Sequence, residues 1–291
     1  MPTLPTTPIP SSAVQPTELM EPSPEILSSL ITMLGNWPDL LGSDLARYII
    51  GAGVVFLVVN WRLAGPLTAR KIRKDSAGWS QIKQEILASF RTVFILSCAG
   101  LLIGTSYMMG WLHVYENPAE MGWGYFAFSV IAIILLHDTW FYWTHRLIHD
   151  PRLFRRFHRL HHKSHNPTPW TAYAFDSGEA AINALFLPLT LLILPISFLA
   201  IFVFTSHMII RNALAHCGYE VYPANKQGTP LFDWMTTVTH HDMHHAQAGY
   251  NYGFYFTWWD RWMGTESPEY LKEFARVSPS PRRNAMQGSD L

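Results

Sequence analysis

The chain has 291 residues, no net charge, and a composition that is 49% hydrophobic and only 14% charged. A charged fraction so far below the roughly 25% usual for soluble domains argues against an ordinary soluble enzyme, and zero net charge removes the electrostatic basis for nucleic-acid binding. The fourteen histidines are clustered rather than scattered, while the two cysteines, Cys98 and Cys217, lie in or beside apolar segments and imply no disulfide framework.

Residues 1–25 are rich in Pro, Ser and Thr and carry neither basic residues nor an apolar run, so they read as a disordered tail rather than a signal peptide. A spanning helix needs roughly 20 mostly apolar residues. Residues 45–61 are slightly short of this, with Arg47 at the rim; 92–111 form a clean second span. Residues 123–143 form a third, carrying His137 and Asp138 near its end. The apolar stretch 180–210 is too long for one helix and too short for two full crossings. Pro188 and Pro195 interrupt it, so the expectation is a helical hairpin that enters the bilayer and returns to the same side. Residues 278–291 read as a second disordered tail, leaving 26–277 as the membrane-embedded domain.

Basic loops stay in the cytoplasm. No Lys or Arg precedes Arg47, whereas Arg62, Arg70, Lys71, Arg73 and Lys74 follow the first span. The loop 113–122 holds Glu116 and Glu120 and nothing basic, and Arg146, Arg152, Arg155 and Arg156 follow the third span. This alternation puts the N-terminus outside and everything beyond Trp143 inside. The expected fold is all-α and polytopic, with three spanning helices, a helical hairpin and a cytoplasmic histidine-rich di-metal cap.

Three histidine clusters share one geometry. His145 and His149 are four apart in HRLIH; His158, His161 and His162 in HRLHH, and His241, His244 and His245 in HDMHH, are spaced i, i+3, i+4. Residues three and four apart share a helix face. Eight imidazoles from three segments on one membrane side suit two metals. Imidazole accepts Fe, Zn, Cu or Ni, so ligand type alone leaves the metal open. A redox-active pair can activate O2 and zinc cannot, which makes iron the economical choice.

Other positions carry weaker signals. Asp138 lies within about 20° of His145 and His149 on a 3.6-residue helix and is expected to orient an imidazole; a helix-end cap is the alternative. His137 points away from both and is expected not to be a ligand. His216 follows the hairpin and is expected to be one, and His240, beside His241, is open to reading as a ligand or a bystander. His165 reads as a capping or outer residue, His207 as packed within the hairpin, and His113 as interfacial. Asp176 and Glu179 sit at the hairpin's mouth, where carboxylates are either functional or simply solvated.

The segments HDTWFYWTHRLIH, FRRFHRLHHKSHNPTPW, RNALAHCGYE and THHDMHHAQAGYNYGFYFTWWDRWMGT resemble the fatty acid hydroxylase/sterol desaturase superfamily, over about 123–265. The resemblance implies a helical fold with a cytoplasmic cap holding two iron ions, and the use of O2. It implies reducing equivalents from NAD(P)H through a separate carrier, cytochrome b5- or ferredoxin-like, and a lipid substrate that is hydroxylated or desaturated. Carried over by motif, His145, His149, His158, His161, His162, His241, His244 and His245 are the ligands, joined by His216 in HCGYE and by His240, which opens the family's HHxxHH. Asp138 and Glu179 are the carboxylates assigned to catalysis. In AYAFDSGEA, Asp176 and Ser177 replace the family's His-Pro while Glu179 is retained, which bears on substrate access rather than on the metals. Localisation in a bacterial cytoplasmic membrane follows from the same likeness. The rival readings are a histidine-rich metal-binding or transport protein, which would need ionisable residues along its spans, and a zinc hydrolase.

Overall fold

The structure, a computed structural model, describes residues 23–278, so the expected tails lie outside the described residues except at their inner edges. Helix α1 (Pro24–Val55) begins where the Ser23 Oγ accepts the Ile26 N–H at 3.4 Å and Pro24 takes a first-turn position that needs no N–H donor. It continues through a π-helical stretch, Phe56–Arg62. The expected first span is therefore the second half of a longer helix. Gly35, Pro38, Asp39, Gly42 and Asp44 dilute the apolar pattern of its first half, and packing against α2 (Trp79–Met108) holds that half in place. Trp37 Nε1 donates to Ser97 Oγ at 3.1 Å, and Met33 lies so close to Gly104 that any Cβ there would collide with it. The partner of the second span is thus the N-terminal half of α1.

Helix α3 (Trp123–Ile148) starts after Gly122, whose φ of 83° favours glycine. The hairpin consists of α5 (Ser177–Leu191) and α6 (Phe198–Ala215), following the short α4 (Pro151–Phe157). Its turn carries β2 (Ile196–Ser197), which pairs in parallel with β1 (Val114–Tyr115) from the α2–α3 loop, Val114 opposite Ile196. The Ile196 N–H donates to the His113 carbonyl at 2.9 Å. The hairpin tip therefore meets the loop at the end of the bundle remote from the clustered histidines.

Among the described residues four helical stretches are long and apolar enough to cross a membrane: Pro24–Arg62, Trp79–Met108, Trp123–Ile148 and Phe198–Ala215. At 15 residues, α5 is shorter than these. Exposed Leu, Ile, Phe and Val side chains cover the outward faces, and exposed tryptophans mark both ends: Trp61, Trp79 and Trp143 towards the histidines, Trp111 and Trp123 at the opposite end. Apolar flanks bounded by two tryptophan belts are the surface a bilayer requires. The chain is an all-α polytopic integral membrane protein.

A cap completes the fold. It is built from α4, α7 (Val238–Gln247), α8 (Trp258–Trp262) and α9 (Tyr270–Val277). A 3-10 segment, Pro169–Tyr173, wedges between α1, α2 and α6, where the Trp170 carbonyl accepts from Tyr48 Oη at 3.0 Å and Ser89 Oγ at 3.1 Å. Arg73 Nε meets Asp242 Oδ1 at 2.8 Å, tying the loop before α2 to α7.

Candidate metal centre

The clustered histidines assemble into two groups. His145, His149, His158, His162 and His244 form one; His161, His216, His241 and His245 form the other, and within each group one nitrogen per ring lies within 4.8 Å of the rest. Helix α7 is regular and divides its face, sending His244 to the first group and His241 and His245 to the second. The middle motif is not one α-helix. Helix α4 ends at Phe157, His158 turns to φ −142°, and His161–Lys163 forms a 3-10 turn. That break lets His158 and His162 face one group while His161 faces the other. The Leu160 N–H donates to Asp176 Oδ2 at 2.7 Å, so the aspartate that departs from the family pattern steadies this break.

The rings are oriented from behind. His145 Nδ1 donates to the Tyr252 carbonyl at 2.9 Å, His244 Nδ1 to the Tyr250 carbonyl at 2.7 Å, and His216 Nδ1 to the Asn212 carbonyl at 2.7 Å. Each of these imidazoles has its proton on Nδ1, leaving a bare lone pair on Nε2. Those Nε2 atoms converge: His145 and His158 approach to 3.0 Å, His162 and His244 to 3.1 Å, and His216 faces His241 at 3.0 Å and His245 at 3.2 Å. Converging lone pairs repel unless a cation lies between them, so the donor set fits two metal ions. His158 Nδ1 lies 2.8 Å from Glu179 Oε2, both buried.

Burial, reinforced by neighbouring imidazoles, holds His158, His161, His241, His244 and His245 well below the ordinary histidine value. Burial takes His162 and His216 down to about 4. The rings are therefore neutral near pH 7, as metal ligation demands. Burial, with Asp176 beside it, raises Glu179 well above the usual carboxyl range.

Of the ten histidines expected as ligands, nine lie in the two groups. His240 does not: its Nε2 sits 3.6 Å from Asp260 Oδ2 and its ring 5.0 Å from Tyr270. Among the described residues Asp138 hydrogen-bonds no imidazole. Its Oδ1 accepts the Tyr255 and Phe256 N–H groups at 2.7 and 3.2 Å. It thereby pins the segment whose carbonyls hold His145 and His244. His137 lies among aromatic rings, 4.8 Å from Phe186 and 5.2 Å from Phe204; His207 stacks on Tyr255; His113 and His165 are exposed.

Sequence reasoning passed over two carboxylates. Asp260 accepts the Tyr252 and Gly253 N–H groups at 2.9 and 2.8 Å, and a side chain at Gly253 would strike the Phe256 carbonyl. Glu220 accepts the Thr239 N–H at 2.8 Å at the start of α7. Both lie within the motif stretches, where an acid among aromatic or small residues needs buried donors.

An apolar cavity of about 550 Å³ runs between α1, α2, α5 and α6 towards the histidine groups. Its inner end is walled by Phe141, Phe175 and Asn212. Phe141 is 4.8 Å from the His145 ring and Phe175 is 5.4 Å from the His161 ring.

Comparison with known proteins agrees with this architecture. The fatty acid hydroxylase family model matches residues 130–265. The chain is 33% identical over 187 residues to a Delta(7)-sterol 5(6)-desaturase of Gibberella zeae, covering 64% of this chain and 56% of that protein. It is 30% identical over 247 residues to methylsterol monooxygenase 1 of Danio rerio, covering 80% and 78% respectively. Similarity to the lathosterol oxidase of Rattus norvegicus is 24% over 188 residues, or 60% of that protein's length. Against the fungal desaturases the chain spans less than two thirds of their length, from 56% to 64%. No solved structure matches. With its histidine groups, its membrane helices and these relatives, the chain belongs to the fatty acid hydroxylase/sterol desaturase superfamily.

Proposed function

We propose that this protein is an O2-dependent di-iron oxidoreductase that hydroxylates or desaturates an unactivated C–H bond of a membrane lipid. The observation that carries the reading is the convergence of nine histidines into two groups beside the inner end of an apolar cavity. In this reading His145, His149, His158, His162 and His244 hold one iron, and His161, His216, His241 and His245 hold the other. Two irons, when bound, supply the redox chemistry that activates O2.

The remaining work falls to the chain. The Tyr250, Tyr252 and Asn212 carbonyls fix the tautomer of their histidines, and Glu179 backs His158, its Oε2 2.8 Å from Nδ1. Phe141 and Phe175 keep water from the approach, and the cavity aligns the lipid so that one end reaches the metals. Electrons come from NAD(P)H through a cytochrome b5- or ferredoxin-like carrier. The histidine end faces the cytoplasm, in a bacterial cytoplasmic membrane. The support for this orientation is that the basic loops around Arg62–Lys74 and after α3 lie at the histidine end, while the loop with Glu116 and Glu120 lies at the other.

Elemental analysis and Mössbauer spectroscopy of purified protein test the reading. Close to two irons per chain is the expected result. Protein that holds only zinc, and stays inactive towards lipids after iron reconstitution, would refute it.

A further inference from the structure

The cavity that ends beside the histidine groups is apolar along most of its length, yet its wall holds an ion pair. Asp44 and Arg47, one turn apart on α1, line it, with Arg47 Nη1 donating to Asp44 Oδ1 at 2.6 Å. An ionisable pair facing a cavity within membrane helices is a candidate ligand contact. Arg47 Nε is buried without a hydrogen-bond partner among the described residues. A buried guanidinium N–H left unpaired is costly, and a ligand acceptor would remove the cost. Tyr173 and Asn183 line the cavity as well. Tyr173 is 6.1 Å from Phe175, ring to ring, and Phe175 is 5.4 Å from His161. Tyr48, next to Arg47 on α1, stacks on Tyr173 at 5.6 Å, so the ion pair lies on the histidine side of the cavity. From Asn212, near that end, α6 lines the cavity back to Phe198, about 21 Å away at 1.5 Å per residue.

Resting on the lipid-oxidising reading above, we propose that Asp44 and Arg47 form a polar-head site that binds the hydroxyl of a neutral lipid alcohol, with the oxidised carbon near the hydroxyl-bearing end. Charge decides the class. The pair is neutral overall and presents both donors, on Arg47, and an acceptor, on Asp44. A hydroxyl uses both. A fatty-acid carboxylate or a phosphate would gain from Arg47 but meet the charge of Asp44. The apolar remainder of the lipid then extends along the cavity towards Tyr107 and Phe198. A rigid polycyclic alcohol of the sterol type has this distribution of polarity.

Binding of a fluorescent sterol, dehydroergosterol, to the full chain in nanodiscs tests this by energy transfer from the protein's tryptophans. The 3-deoxy counterpart and palmitate serve as comparisons. The unmodified protein is expected to favour the free hydroxyl by about tenfold or more, the range of a hydrogen bond to a charged group. Arg47→Met combined with Asp44→Leu should erase that preference while leaving the deoxy form bound as before. If thermal melting shows that the double variant does not fold, Arg47→Lys, which keeps the charge but moves the donors, must shrink the preference on its own. Equal binding of the two sterols by the unmodified protein, a preference that survives substitution, or palmitate binding that depends on Arg47 would each overturn the proposal. The readout needs neither iron nor turnover. A hydroxyl preference in protein that takes up no iron would sink the oxygenase reading alone, and an active iron protein without the preference would sink this site alone.

Discussion

His145, His216 and His244 give their Nδ1 protons to backbone carbonyls and His158 faces Glu179, so the four are fixed from behind before any metal arrives. Substitution should separate ligands from supports. His145→Ala, His161→Ala or His244→Ala is expected to abolish turnover and lower iron content, because each removes a nitrogen from a group. Glu179→Leu removes only what lies behind a ligand and should cost about 10–100-fold in metal affinity or activity. His240→Ala should keep the iron, since His240 lies outside both groups, and His113→Ala at the far end should change nothing. Iron per folded chain checks all of these, and a His113 variant as inactive as the His161 variant would contradict the one-ended arrangement.

Protonation adds a second expectation at this scale. An ordinary histidine titrates at 6.5, but His162 and His216 hold no proton in the fold until about 4. Between those values the unfolded chain binds more protons than the folded one, so stability falls as pH drops through that window and is level above it. Thermal melts of iron-free protein should show this. Melting that is flat from 6.5 down to 4 would mean the rings are not buried as described.

At the level of elements, the segment between α7 and α8 acts as a backplate. Its Tyr250 and Tyr252 carbonyls hold two ligands, and the segment is itself held by Asp138 from α3 and Asp260 from α8. Asp138→Ala leaves the buried Tyr255 N–H without an acceptor, at about 1–3 kcal/mol, and frees the part-buried Phe256 N–H as well. It should lower the melting temperature and slow turnover while retaining most of the iron. Complete loss of iron in a folded variant would make Asp138 more than a clamp on the backplate. The role expected for Asp138 from helical periodicity was contact with an imidazole. Periodicity placed it on the right face of α3, but a backbone segment more than a hundred residues later fills that face, and no local pattern encodes such a neighbour.

For the molecule as a whole, the basic loops cluster at the histidine end and the loop with Glu116 and Glu120 lies opposite. Reporters fused at the N-terminus and after Arg276 are therefore expected on opposite sides, with the second in the cytoplasm. Signals from the same side would require another crossing or one fewer. The hairpin α5–α6 does not alter this parity, since it returns to the end from which it starts. Its tip reaches the α2–α3 loop through the Val114–Ile196 pairing, so it runs the length of the bundle.

What the sequence determined by itself was set by spacing and composition. The i, i+3, i+4 histidines of α7, the apolar runs of α2 and α3 and the side-to-side charge alternation are local signals, because one helix face or one loop suffices to express them. Tertiary structure decided the rest. The division of His158, His161 and His162 between two groups depends on the helix ending at Phe157. The first half of α1 is helical and packed because Trp37 and Met33 find Ser97 and Gly104 on α2. Asp260, Asp138 and the Asp44–Arg47 pair acquire their surroundings from segments distant in the chain, and a buried polar group takes its meaning from the partners folding brings to it.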